Sequence, residues 1–413
     1  MFFGQGIFVI SYVLTSVLES LRRFLIPALA PLYYNLGFIL GTLILAPKIG
    51  LMAPAVGVVI GAAVHFLIQL PLAMKLGFRF TRKIAPTDGV KDIAKLAAPR
   101  LVDLSFQQIA ETMVLYFASL ISTASYTYFT LANSLQLAPV RLFGTSLAKA
   151  ALPTLTREAE DSGKFKKTLF KTIYQIIFLV APVATIFITL RIPTIRIFFG
   201  TSIFDWNSTV ETGMVLSAFA VGIPFQTCVA MLARAFYALH DTKTPVMVSV
   251  VGDSLVVIAD LVLVKGLGLP SWALALSFSL GALVESAILI VILQNRLKNF
   301  SIVKAILPMS KTLIAAVVSG SVMYYLLKFF DKWVPIKVIR PIAFENFVLD
   351  TRYTGNLIVL TILVGGIGVL IYLLIAFVLK SNELSEITTA LWKRKSWLLP
   401  GKKVEPINPI DNI

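Results

Sequence analysis

The sequence predicts an all-α polytopic membrane protein of about eleven transmembrane helices. Three observations carry that prediction. Of the 413 residues, 57% are hydrophobic and only 14% are charged, and the mean hydropathy is +0.86. A soluble domain has roughly a quarter of its residues charged, so the soluble enzyme classes are excluded first. The apolar residues fall into runs of about 18 to 25, the length a helix needs to cross some 30 Å of hydrocarbon. The cations divide unevenly between the loops on the two sides of those runs, as membrane insertion requires.

The eleven runs lie at about 2–18, 27–46, 51–73, 93–121, 126–148, 170–190, 209–238, 244–264, 270–294, 306–328 and 354–379. Met1 leads straight into the first, with no basic segment and no small-residue cleavage site of a signal peptide. The runs at 93–121 and 209–238 exceed a bilayer's thickness and are expected to extend beyond it or to tilt. Thr156 to Ile173 alternates charged with apolar residues and suits an interfacial helix, read as the joint between helical bundles. The tail after residue 380 holds Trp392, Lys393, Arg394, Lys395 and Trp397, the aromatic and basic makeup of an interfacial anchor.

The excess of 37 Lys and Arg over 21 Asp and Glu gives +16, which in a soluble chain would suggest nucleic acid. Here the cations gather in a few short loops and the tail. With the loop Glu19–Arg23 placed in the cytoplasm, 26 of the 37 fall inside and nine outside. The amino terminus is then expected outside and the carboxyl terminus in the cytoplasm. A single cysteine, Cys228, and two histidines, His65 and His240, exclude a disulfide and leave no set for a Cys- or His-ligated metal. His65 reads as part of an apolar helix and His240 as a helix end beside Asp241. No nucleophile triad, glycine-rich phosphate loop or paired loop carboxylates can be assembled, so no enzyme is expected.

Shifting the chain by 218 residues sets Pro27 on Pro245, Gly50 on Gly268, Leu14 on Leu232, Ala55 on Ala273, Asn35 on Asp253 and Thr42 on Asp260. The first three runs therefore read as a parallel copy of runs seven to nine. If runs four to nine form a six-helix lobe, the first three are the second half of another, and three helices are missing before them. The expected domains are 1–91, a partial amino-terminal lobe; 92–299, a complete lobe; 300–380, two additional helices; and 381–413, a basic cytoplasmic tail.

Ionisable groups at membrane depth are costly and are functional candidates by default. Asp103, Gln107 and Glu111 recur at i, i+4 and i+8 on one helix face, looking into a cavity or forming a buried hydrogen-bonded network. Arg141 follows Pro139 in mid-run, with Lys149 two turns on and nearly on the same side. Arginine suits a phosphate because its planar fork donates two hydrogen bonds at once, whereas Lys149 has the alternative of snorkelling to headgroups. Asp253 and Asp260 share a helix face, with Glu285 on the next helix, and acids so placed bind ions or relay protons. Arg234 has the alternative role of neutralising one of them.

The stretch Arg234-Ala-Phe-Tyr-Ala-Leu-His-Asp-Thr-Lys-Thr-Pro245 resembles the junction of the tenth and eleventh helices in the MurJ/MviN family of lipid II flippases. Ile195 to Gly200 followed by Phe204, and Ala132 to Pro153, are similar to that family's loop before helix ten and to its eighth helix. The resemblance covers residues 1 to about 380 and family helices four to fourteen. It implies the MATE-like fold of the MOP exporters, two six-helix lobes around a central cavity, here with an incomplete amino-terminal lobe. It also implies alternating-access transport of undecaprenyl-pyrophosphoryl-linked peptidoglycan precursor from the inner to the outer leaflet of a bacterial cytoplasmic membrane, without a cofactor. A related exporter of another lipid-linked glycan or a drug, or an inactive truncated protein, is the alternative.

The family's Asp-Arg-Leu triplet on helix eight is replaced here by Asn133-Ser134-Leu135. Ser134 thus stands at the arginine position, and Arg141 is the residue placed to supply the lost charge to a substrate site of Arg141, Ser134, Asn133, Lys149 and Arg234. The positions of the family's sodium site hold Val114, Val256, Asp260 and Ser279, so sodium or the membrane potential is left as the coupling force. Expected partners are the lipid-linked precursor, membrane lipids and a separate peptide supplying the missing helices.

Overall fold

The computed structural model describes residues 2–79, 88–297, 308–333 and 354–385, apart from 22, 24, 202, 203 and 382. Side chains of 2, 88–100, 102, 103, 330–333 and 354–356 lie outside that description, and so does the basic tail. Every element among the described residues is helical. Each of the eleven apolar runs falls on helix where it is described. Among the described residues nine helical stretches are long and apolar enough to cross a membrane, the second and third runs counting as one and the run at 126–148 not among them. The chain divides into two compact units, Met1–Lys91 and Asp92–Ile413.

The first unit holds α1 (Phe2–Ser20), α2 (Leu25–Ile49) and α3 (Ala53–Lys75). A short 3₁₀ turn joins α2 to α3, entered through Gly50 at φ +54°, a left-handed conformation that a Cβ disfavours. The two helices then approach backbone to backbone. A Cβ on Gly41 would come within 2.8 Å of Gly57 Cα, and one on Gly37 within 2.8 Å of Gly61 Cα. Lipid supplies no hydrophobic drive between helices, so close packing of small residues of this kind holds them together. α1 packs chiefly on α3 and is tied to it by a buried polar network that crosses between the helices. Ser11 Oγ lies 2.6 Å from His65 Nδ1, Gln69 Nε2 donates to Ser11 Oγ at 3.2 Å, and Thr15 Oγ1 donates to Gln69 Oε1 at 2.8 Å.

The second unit is organised around α9 (Trp206–Ala238), which packs against α11 (Trp272–Arg296), α7 (Ser162–Thr189) and α5 (Ser125–Pro139). Asp205 starts α9 by accepting from Ser208 N at 2.8 Å, the expected N-cap for an orphan amide. α4 (Asp88–Ile121) precedes α5, which continues through a π-turn, Val140–Thr145, into α6 (Ser146–Arg157). α8 (Arg191–Phe199) is a short helix between α7 and α9. α10 (Lys243–Asp260) runs into a second π-turn, Leu261–Gly266. Two further helices, α12 (Met309–Trp333) and α13 (Thr354–Val378), pack on each other and on α7, where Tyr372 Oη donates to Phe178 O at 2.9 Å.

The internal repeat is visible in the helix limits. Adding 218 to α2 gives a start at Lys243, where α10 begins, and adding it to α3 gives a start at residue 271, next to α11's Trp272. Gly268 takes φ +66°, as Gly50 takes +54°, so both hairpins turn through a left-handed glycine. Leu14 and Leu232 are both fully buried.

One expected element is corrected. Thr156 to Ile173 is not a single interfacial helix joining two bundles, and both its ends belong to the second unit. The chain turns at residues 158–161, and Asp161 then caps a new helix by accepting from Gly163 N and Lys164 N at 3.0 and 3.1 Å. That cap holds the Asp161 carboxyl below its ordinary range, chiefly through the bonds with Lys164. An N-cap acid outweighs the amphipathic pattern because it satisfies amides that the pattern leaves orphaned.

Candidate functional site

The α5–π–α6 rod exposes a stripe that is polar for much of its length: Thr130, Ser134, Arg141, Ser146 and Lys149 all lie open on the unit's surface. Its opposite side is core, with Phe129, Ala132, Ala148 and Leu155 buried. A transmembrane segment that turned such a stripe to acyl chains would be costly, so the stripe marks a watered or protein-lined side. Ser134 Oγ donates to Leu131 O at 2.7 Å. Asn133 is half-buried and accepts from Gln136 Nε2 at 2.8 Å, which leaves its amide hydrogens for another acceptor. Arg141 and Lys149 carry the stripe's positive charge.

Arg234 is half-buried on α9, and its Nη1 donates to Ala230 O at 2.8 Å. It does not neutralise Asp260. That carboxyl is fully buried, and among the described residues neither of its oxygens has a partner of good hydrogen-bond geometry. Its neighbour Ser277 donates to Ala273 O at 3.1 Å, and Ser279 donates to Ala218 O at 2.7 Å. In the first unit Thr42 fills the equivalent position and donates to Phe38 O at 2.8 Å. Asp253 is half-buried on the same helix, and Glu285 lies against Gly252.

Gln107 and Glu111 are exposed on α4, as a face turned to a cavity would be and a buried network would not. The Asp103 side chain lies outside the described residues. A run of polar residues at i, i+4 and i+8 fixes a shared face but not which way that face points.

One arrangement escaped the sequence reading. Asp241 accepts from Lys243 N and Thr244 N at 3.0 and 2.9 Å and from Thr244 Oγ1 at 2.6 Å, and it pairs with Arg296 Nη2 at 2.5 Å. The same guanidinium lies 5.4 Å from the Phe236 ring centre. This clamp joins the α9–α10 turn, where His240 takes φ +59°, to the end of α11. Burial alone would raise the Asp241 carboxyl, but the bonds from Thr244 and Arg296 outweigh it and leave it below its ordinary value. A depressed carboxylate adds stability above the unfolded pKa, near 4, and loses it as pH falls through the folded value. Asp241→Asn is therefore expected to cost about 1 to 2 kcal/mol at pH 7 and progressively less below about pH 4. Thermal unfolding in detergent at both pH values checks it, and an equal loss at each would refute the charge argument. The clamp was hidden because Arg296 stands 55 positions from Asp241.

A family profile described as lipid II flippase MurJ matches residues 2–344. The chain belongs to the MurJ family. It is 26% identical over 336 residues to a probable lipid II flippase MurJ of Haemophilus influenzae, covering 77% of this chain and 64% of that one. With a probable lipid II flippase MurJ of Thermotoga maritima it shares 27% over 372 residues, or 90% and 68% of the two chains. A solved lipid II flippase MurJ in an inward closed conformation superposes with a TM-score of 0.70 over 90% of this chain and 71% of that one, at 23% identity, and so shares the MurJ fold. The chain spans 64% and 46% of the first two curated relatives it matches. Membership makes it a multi-pass membrane protein of a transporter family.

Proposed function

We propose that this chain is a lipid II flippase that moves the undecaprenyl-pyrophosphoryl-linked peptidoglycan precursor from the inner to the outer leaflet by alternating access. No bond of the substrate is made or broken, so the work is binding and release rather than catalysis. The observation that carries the reading is Arg141, a cation open to the surrounding medium on the α5–π–α6 rod and flanked along its stripe by Ser134 and Ser146. A diphosphate in the bilayer needs its charge matched and its oxygens bonded, and a guanidinium does both. Ser134, Asn133 and Arg234 add donors in this reading. The protein resides in a bacterial cytoplasmic membrane, amino terminus outside and carboxyl terminus within, as the cation distribution supports.

A sodium ion does not fit the residues present. A hard cation is held by several converging oxygens, and two of the four positions expected for it hold the buried Val114 and Val256, which have none. Of the four positions, only the Asp260 carboxylate and the Ser279 hydroxyl offer a side-chain oxygen, too few to enclose the ion. The reading therefore takes the membrane potential as its driving force, acting on charge carried through the field at about 2.3 kcal/mol per charge per 100 mV. No cofactor enters.

The test is rescue of a flippase-depleted bacterium by the full chain, together with accessibility of labelled lipid II at the outer leaflet. Rescue that persists when potassium replaces sodium and stops when the potential is collapsed is the expected result. Loss of rescue on sodium removal alone would overturn the coupling assignment. Export of a drug with no lipid II movement would overturn the substrate.

A further inference from the structure

The two cations of the stripe are eight residues apart. In a regular α-helix each residue turns 100°, so Lys149 would stand about 80° away from Arg141 and would belong to another face. The rod is not regular between them. Thr145 Oγ1 donates to Val140 O at 3.1 Å and Ser146 Oγ to Arg141 O at 3.0 Å, both reaching back five residues, through the π-turn Val140–Thr145. One extra residue in the turn takes back about 100°, which leaves Lys149 about 20° from the Arg141 column.

The burial pattern shows the same step. Buried positions run Phe129, Ala132, Gln136, Pro139, then Gly144 and Ala148. The spacing is three or four residues throughout except for the five between Pro139 and Gly144. Two neighbours fix the turn in place. Pro139 removes one amide from the ladder just before it. Gly144 is buried against α9, where an added Cβ would meet Thr227 Cγ2 at 2.7 Å and Thr227 Cα at 3.2 Å.

We propose that the π-turn is a register device that aligns Lys149 with Arg141 as a second diphosphate station, about 12 Å along the same stripe. The headgroup is passed from one cation to the other instead of being held at a single arginine. Ser146, on the stripe between them, keeps its hydroxyl oxygen within the path. π-turns concentrate at functional positions because they cost backbone bonding that a plain helix would keep. This inference rests on the flippase reading, and its test separates the two.

Register is read first, by single cysteines at positions 145, 146, 148 and 149 of the full chain in nanodiscs. A membrane-impermeant sulfonate thiol reagent is the probe, and the native Cys228 is buried. Ser146→Cys and Lys149→Cys are expected to label at least tenfold faster than Thr145→Cys and Ala148→Cys, with undecaprenyl diphosphate, but not undecaprenol, slowing Ser146→Cys. Fast labelling at 145 with slow labelling at 146 would overturn the register.

Binding of undecaprenyl diphosphate is read second. Lys149→Ala is expected to weaken it about tenfold. Adding Ser146→Lys restores it and adding Thr145→Lys does not. Equal rescue by both would overturn the alignment. Weakening by Arg141→Ala without weakening by Lys149→Ala would sink the second station and leave the flippase reading intact, whereas no weakening by either would sink both.

Discussion

Arg141→Ala is expected to abolish rescue of a flippase-depleted strain while leaving the protein folded and inserted. The residue is exposed, so its removal leaves no cavity, and surface substitutions of that kind alter stability by about half a kcal/mol at most. Its loss from a diphosphate complex is a different matter. A charge-assisted hydrogen bond contributes roughly 1.5 to 3 kcal/mol, and a guanidinium makes two to one phosphate. Affinity for undecaprenyl diphosphate should therefore fall by about ten- to a hundredfold or more. Arg141→Lys keeps the charge but not the fork and should fall between the two. Since Ser134 stands where relatives are expected to carry an arginine, Ser134→Arg in the Arg141→Ala background should recover part of the binding. It lies seven residues earlier, two turns back on the same face. Unchanged binding in Arg141→Ala would remove the proposed site altogether.

Gly222→Leu is expected to give the largest loss of stability. Where α9 crosses α11, a Cβ at Gly222 would come within 2.8 Å of Ser279 Cβ and 2.9 Å of Ser279 Cα. Turning the Ser279 hydroxyl aside does not relieve it, because Ser279 Cβ and Cα are fixed to the backbone, which must move. Both helices are lined there by fully buried residues, Phe219, Ile223 and Ala275. Overpacking of this kind costs about 3 kcal/mol or more, and separating the helices also breaks the Ser279–Ala218 bond, worth about 0.6 to 1.7 kcal/mol in a membrane protein. The check is the unfolding temperature in detergent and the amount of inserted chain. A variant that unfolds like the parent would show that α9 and α11 do not pack as described. Ser279 is thus packed into this crossing.

The legible and the illegible residues differ in kind. The eleven apolar runs could be read because a helix in lipid must satisfy its own backbone and present apolar side chains over a fixed length. The repeat could be read at Gly50 and Gly268, because a left-handed turn restricts the residue that fills it. Arg141 stood out as a cation inside an apolar run. By contrast, Gln107 and Glu111 were placed correctly on one face, yet that face is exposed rather than buried. The break at Asp161 was misread because a cap acts through three or four local atoms that an alternating pattern does not display.

By itself, the sequence determined the fold class and the family, because each depends on composition and local spacing. The tertiary structure alone decided which polar groups are satisfied and which are not. Asp260 is buried beside Ser277, Asp241 finds Arg296 across 55 residues, and a single π-turn sets whether Lys149 shares a face with Arg141. Those outcomes depend on how neighbouring helices press together and on one residue of register, and neither is encoded in a 100° periodicity.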